Sequence, residues 1–125
     1  MRVRTFMARD VVRTGVGDSL RDAARRMRAD GISALPVMRG SELVGIITER
    51  DIVTAFVDGL DPDRTPVAAC MTSGPRVASP DEPVSVAALR MVGGGLRHLP
   101  VVENGRVVGM LSARDLLALD LPPGG

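Results

Sequence analysis

The 125-residue chain contains no Trp and no Tyr, and its aromatic content is Phe6 and Phe56 alone. A core must therefore be built from Val, Leu, Ile, Ala and Met. Without aromatic platforms, stacking on the bases of a single-stranded nucleic acid is disfavoured. Cys70 is the single cysteine, so no intrachain disulfide can form, in keeping with a reducing, cytoplasmic setting. With one cysteine and one histidine, His98, the chain lacks the ligands of an ordinary zinc site, and no metal is expected. A net charge of +1 with acids and bases interspersed argues against a nucleic-acid surface. No apolar run approaches 18 residues, so no membrane span is expected. The opening MRVRTFMARD lacks the apolar stretch of a secretory signal.

What is present is ordinary for a folded protein: 45% hydrophobic and 25% charged residues. At this length about two-thirds of the unfolded chain's surface can be buried.

The informative feature is repetition. GIITERD at 45–51 returns as GMLSARD at 109–115, a spacing of 64 residues. At the same offset Met7 falls on Met71, and Ala23, Ala24, Arg26 and Met27 fall on Ala87, Ala88, Arg90 and Met91. Gly31 falls on Gly95, Leu35-Pro36-Val37 on Leu99-Pro100-Val101, and Arg50-Asp51 on Arg114-Asp115. An ungapped match of this extent is an internal duplication. It divides the chain into a repeat at 5–58, a linker at 59–66, a repeat at 67–120 and a disordered tail at 121–125.

Each copy reads as β-α-β-β-α. An extended piece near 11–14, or 76–78, leads in. Asp18-Ser19 opens a helix whose Leu20, Ala23, Ala24 and Met27 share one face, and Gly31 closes it. In the second copy Pro83 suits the first turn and Gly93-Gly94-Gly95 the stop. Strands at 35–38 and 42–48 are joined by Arg39-Gly40-Ser41, and those at 99–102 and 106–112 by Glu103-Asn104-Gly105. A second helix is expected at 49–57 and at 113–119, and a short helical turn in VAACMT. A unit of about fifty residues buries its own faces poorly. The expected architecture is therefore α+β, with tandem β-α-β-β-α repeats packed by pseudo-twofold symmetry.

Thr48-x-x-Asp51 and Ser112-x-x-Asp115 each carry two meanings. As a capping box, the hydroxyl accepts from a backbone N–H at the helix start and the carboxylate reaches back. As a binding device, the same carboxylate accepts from the vicinal hydroxyls of a ribose, while free N–H groups at the helix start favour phosphate. Spacing leaves both open. Arg25, Arg26 and Arg28 read as a solvated helix face, Arg50 and Arg114 as solvated charges or phosphate contacts, and Cys70 as a buried small hydrophobe. One histidine beside an arginine supplies no nucleophile–base set, so an enzyme is not expected.

GIITERDIV and GMLSARDLL, each preceded by an LPV strand and an amphipathic helix, resemble the CBS domain, and the tandem resembles a CBS pair, or Bateman module, of the small stand-alone bacterial type. The likeness covers about 5–120. It implies a regulatory module that binds adenosine nucleotides (AMP, ADP or ATP) or S-adenosylmethionine in clefts between the repeats, with no cofactor required. It implies a homodimer and an effector protein as partners. Asp51 and Asp115 become ribose ligands, with Thr48 and Ser112 beside them. Arg97-His98, before the second LPV, becomes a phosphate contact; the first copy has uncharged Ser33-Ala34 there. One cleft is expected to gather Asp115, Ser112, Ser33, Arg97 and His98 and to bind better. The other gathers Asp51, Thr48, Thr72 and Val77. Ile32, Ile46, Leu96 and Met110 are expected as apolar walls for the adenine. The alternative is a structural or partner-docking protein of the same fold without a nucleotide.

Overall fold

The computed structural model describes residues 1–119. The tail expected at 121–125 lies outside the described residues. Two compact units are present, and neither coincides with a sequence repeat: one is 12–75, the other joins 1–11 to 76–125.

In the 12–75 unit, Thr14–Gly15 (β1) leads into helix Leu20–Asp30 (α2; α1 belongs to the other unit and is given below), hairpin Ala34–Arg39 (β2) and Glu42–Thr48 (β3), and helix Glu49–Val57 (α3). A 3₁₀ turn at Val67–Ala69 and a short strand, Thr72–Ser73 (β4), complete it. The sheet order is β1-β2-β3-β4; β1 runs parallel to β2 and the other pairs are antiparallel. Helix α2 forms for the reasons legible in its sequence. Ser19 caps it, its hydroxyl accepting from the Asp22 N–H at 3.1 Å, and Gly31 closes it in the left-handed region at φ 62°. Its buried face is Leu20, Ala23 and Met27, packed with Leu35, Val37, Ile47, Ala55 and Val67.

The second unit repeats this plan. Helix Val84–Gly94 (α4) precedes hairpin His98–Glu103 (β5) and Arg106–Ser112 (β6). Asn104 (φ 52°) and Gly105 (φ 76°) turn the hairpin with both residues in the left-handed region, as its Asn-Gly sequence requires. The flanking strands of the first sheet shrink here to single bridges: Ala78 pairs parallel with Val101, and Ala8 pairs antiparallel with Met110. Ala8 arrives from the chain's first residues, after a four-residue helix, Val3–Phe6 (α1). The core unites Val3 and Met7 with Ala78, Ala87, Met91, Leu99, Val101 and Leu111.

Three expectations shift in detail. Pro83 is the residue before α4 rather than part of its first turn, and Gly93 and Gly94 lie inside the helix, with Gly95 alone as the left-handed cap. The helix expected at 113–119 is a 3₁₀ segment, not an α-helix. A capping box fixes where a helical turn begins, not whether each later N–H bonds three or four residues back, and 3₁₀ geometry is common in short segments.

Arg26 is more than a solvated charge. Its guanidinium reaches the Asp18 carboxylate and the Thr14 hydroxyl (3.0 Å), and Asp18 also accepts from the Gly15 N–H at 2.8 Å. Thr14 is buried. The pair ties helix α2 to strand β1, and recurs as Arg90 with Glu82 in the other unit. The Gly15 N–H and then Arg26 hold the Asp18 carboxyl below the usual carboxylate range.

Candidate functional site

Each unit presents one polar cluster where a strand of the hairpin passes into the following helical segment. In the 12–75 unit the Thr48 N–H donates to Asp51 Oδ2 at 2.8 Å, the Thr48 hydroxyl lies 3.1 Å from the same oxygen, and the Asp51 N–H donates to Thr48 Oγ1 at 3.3 Å. This is a complete capping box. In the other unit the Ser112 N–H donates to Asp115 Oδ2 at 2.9 Å, and the Asp115 N–H donates to Ser112 Oγ at 3.3 Å. In both boxes the bonds fall on Oδ2, so the second carboxylate oxygen takes no part in capping. Asp51 and Asp115 are both half-buried.

The residue before the LPV strand is stitched to the same junction. The Glu49 N–H donates to the Ser33 carbonyl at 2.9 Å, and the Ala113 N–H to the Arg97 carbonyl at 2.7 Å. His98 stands opposite Ser112 across the hairpin, as Ala34 stands opposite Thr48. Ser33, Thr48 and Asp51 thus gather in one unit, and Arg97, His98, Ser112 and Asp115 in the other. Arg97 is exposed; His98 and Ser33 are half-buried. Thr72 belongs with the first cluster through its pairing with Ile46, and its side chain is exposed. Val77 is in the second unit, two-fifths exposed at 41%, and its carbonyl accepts from Arg90 at 2.9 Å.

The four apolar wall residues share a property. Ile32, Ile46, Leu96 and Met110 are half-buried, whereas Ile47 and Leu111, the next residues on the two strands, are fully buried at 0%. Strand alternation puts Ile47 and Leu111 into the cores and leaves Ile46 and Met110 on the opposite face, partly open, whereas Ile32 and Leu96 precede the strands and pack at the edges of the two cores.

Gly45 and Gly109, two residues before Ile47 and Leu111 and on the same buried side, keep the strand backbones thin there. A Cβ on Gly45 would stand 2.5 Å from the Met71 sulfur and 2.9 Å from the Thr72 carbonyl oxygen. On Gly109 the clashes are with Met7 (2.6 Å) and the Ala8 carbonyl (2.9 Å). The repeat of Met7 on Met71 was the sequence signal for this pairing; what it could not tell was that each methionine serves the hairpin of the other sequence repeat.

Cys70 is half-buried rather than fully buried, packed at the edge of the first core. Desolvation, with smaller contributions from Asp51 and Asp58, raises its thiol above the ordinary value and keeps it protonated. Among the described residues no cluster of His, Cys, Asp and Glu is placed to hold a metal ion. No helix among them is long and apolar enough to cross a membrane.

Comparison with known proteins identifies the pattern. The CBS domain model matches twice, at residues 3–58 and 67–121. A CBS domain-containing protein from Arabidopsis thaliana is 41% identical over 97 residues, 76% of this chain, and the chain spans 17% of that relative's length. A CBS domain protein from Pyrobaculum aerophilum, solved complexed with AMP, is 31% identical with a TM-score of 0.85, covering 93% of this chain and 90% of its own. A CBS domain pair solved with 5-methylthioadenosine and S-adenosyl-L-methionine is 29% identical with a TM-score of 0.86, covering 95% of this chain and 94% of its own. The duplicated hairpin, its capping-box carboxylates and these matches converge: the chain belongs to the CBS domain family, as a tandem pair.

Proposed function

We propose that the protein is a cytoplasmic regulatory module that senses an adenosine nucleotide or related adenosyl ligand and performs no chemistry on it. The observation that carries this reading is the twice-built junction at which a half-buried carboxylate keeps one oxygen outside its capping box. That oxygen suits the vicinal hydroxyls of a ribose. Asp115 and Asp51 are the ribose acceptors, with Ser112 and Thr48 beside them; Arg97 and His98 contact phosphate. Ser33 and Thr72 supply further polar contacts. Val77 and Ile32, with Ile46, Leu96 and Met110, offer apolar surface to the base. Relatives of the same fold solved with AMP and with S-adenosyl-L-methionine support the ligand class. A ligand that prefers one conformation of the module shifts its population, and an effector protein reads the shift. We further propose a homodimer. The exposed apolar side chains of α3 (Val53, Phe56, Val57) and α4 (Leu89, Val92) support it, being 59–83% exposed.

The Arg97-His98 side is assigned as the tighter one. Thr48 Oγ1 lies within hydrogen-bonding distance of Asp51 Oδ2, and no such bond occupies the Ser112 hydroxyl. A thermal-shift series with AMP, ADP, ATP, S-adenosylmethionine and NAD tests the reading. A ligand at 100 times its Kd adds about 2.7 kcal/mol of stability. Asp115→Ala is expected to weaken binding about ten- to a hundred-fold, as loss of a charged acceptor worth about 1.5–3 kcal/mol implies. Asp51→Ala is expected to cost the tighter site less; the reverse order in calorimetry would exchange the two assignments.

One observation favours a second reading. Both boxes are complete without a ligand, so Asp51 and Asp115 already have a structural role. A purely structural or partner-docking CBS pair would show no shift with any of the five compounds.

A further inference from the structure

Residues 1–11 complete a unit to which they are not adjacent in the chain, and the contacts that hold them are a compact set. Val3 (0% exposed) and Met7 (9%) enter the core, and the Met7 sulfur occupies the space left by Gly109. Ala8 and Met110 exchange backbone bonds of 2.9 and 3.0 Å. The Val3 N–H donates to the Glu82 carbonyl (3.1 Å), the Arg4 N–H to the Pro80 carbonyl (2.9 Å), and the Val84 N–H to the Met1 carbonyl (2.9 Å). The Arg4 guanidinium reaches Asp81 and Glu103, both at 3.0 Å. These partners all lie in 76–125.

The 12–75 unit has an equivalent lead-in with the same spacing of anchors, Val67 and Met71, the latter against Gly45. That lead-in is contiguous with the unit it completes. Residues 1–11 are instead joined to their unit only by way of 12–75. Local chain connectivity therefore does not dictate which molecule's lead-in fills the site over Gly109. The same bonds form whether the donor is this chain or another, and only the effective concentration of the tethered segment favours its own.

We propose that the site over Gly109 is an exchangeable docking site, and that its second occupant is residues 1–11 of another copy of this chain, so that two copies trade lead-ins. The proposal is independent of the ligand reading.

The test uses full-length chains carrying Cys70→Ala. A chain with both Ala8→Cys and Met110→Cys places its cysteines at an antiparallel pair that exchanges both backbone bonds, about 5.5 Å between Cα atoms and within disulfide range. On oxidation it is expected to close within one chain, which verifies the bridge. Chains carrying Ala8→Cys alone are then mixed with chains carrying Met110→Cys alone, held at high concentration, oxidised and resolved without reductant. A mixed disulfide dimer that grows with protein concentration is expected, several-fold above that from Ala8→Cys chains mixed with Ser41→Cys chains, whose cysteine sits on the exposed tip of the other hairpin. Heterodimer no higher than this collision control, with the double variant closing normally, overturns the proposal. Failure of the double variant to close overturns it as well, since the bridge itself would then be wrong.

Discussion

The two units are copies of one plan, yet one is built from a single stretch of chain and the other from two. The contiguous unit has a four-stranded sheet, an α-helix after its capping box and a buried threonine tied to an acid–arginine pair. The composite unit has a two-stranded hairpin flanked by single bridges, a 3₁₀ segment after its box and Ala78 where the threonine stood. It also carries Arg97-His98 in place of Ser33-Ala34. A buried threonine joins the acid–arginine pair in the first unit, whereas the second carries Arg97 and His98 ahead of its LPV strand; Arg50 and Arg114 flank the capping carboxylate in both. The plan is thus kept at the backbone while the side chains around it differ between the copies.

The comparison can be broken most forcefully at the matched core leucines. Leu35 and Leu99 are both fully buried, at 0%. Leu35→Ala and Leu99→Ala should each cost about 2–5 kcal/mol. Amide hydrogen exchange read unit by unit should show each loss concentrated in its own unit. Equal loosening of both units by either change would mean that the two do not act as separate cores.

Next come the thin strands. Gly45→Ala and Gly109→Ala each drive a methyl into a methionine sulfur and a backbone carbonyl. The methionine can swing away but the carbonyl cannot, so each should cost about 1–3 kcal/mol in urea unfolding. Gly109→Ala should also expose the amides of residues 3–8 to exchange, whereas Gly45→Ala should act on 67–73.

The acid–arginine pairs give a smaller and pH-dependent difference. Asp18→Asn should cost about 1 kcal/mol at neutral pH, the partial exposure of Arg26 limiting the ion pair's worth. The folded-state pKa of Asp18 is depressed. Its stabilisation is therefore complete above the unfolded value of about 3.9 and fades as pH falls through the folded value. Wild type and variant should converge in acid; a gap that persists or widens there would show that the carboxylate's charge is not the source. Arg4→Ala sits at the bottom of the scale. Its ion pairs with Asp81 and Glu103 are at the surface, and the unfolding midpoint should hardly move.

Much of this was readable in advance. Helix α2 announced itself by Ser19, by the spacing of Leu20, Ala23 and Met27, and by Gly31, because caps and a buried stripe are local properties. Strands β3 and β6 and the Asn104-Gly105 turn were equally local. The boxes at Thr48–Asp51 and Ser112–Asp115 were legible as spacing, though their second meaning was not decided by it. Arg26 reads as solvated from sequence because its partners, Thr14 and Asp18, meet it only when β1 packs beside α2. The 3₁₀ form of 113–119 is not legible in the sequence, because the box marks the helix start and not the hydrogen-bond step that follows it.

The sequence alone determined that there are two copies of one hairpin-and-helix plan, where α2 and α3 begin, and which face of α2 is buried, since periodicity, caps and turn chemistry act over a few residues. Tertiary structure decided which lead-in completes which copy. Val3 with Met7 and Val67 with Met71 are the same pattern in sequence, and Gly45 and Gly109 each face one of these methionines. Only the path of the folded chain, with Arg4 beside Asp81 and Glu103 and Ala8 bonded to Met110, assigns residues 1–11 to the far repeat.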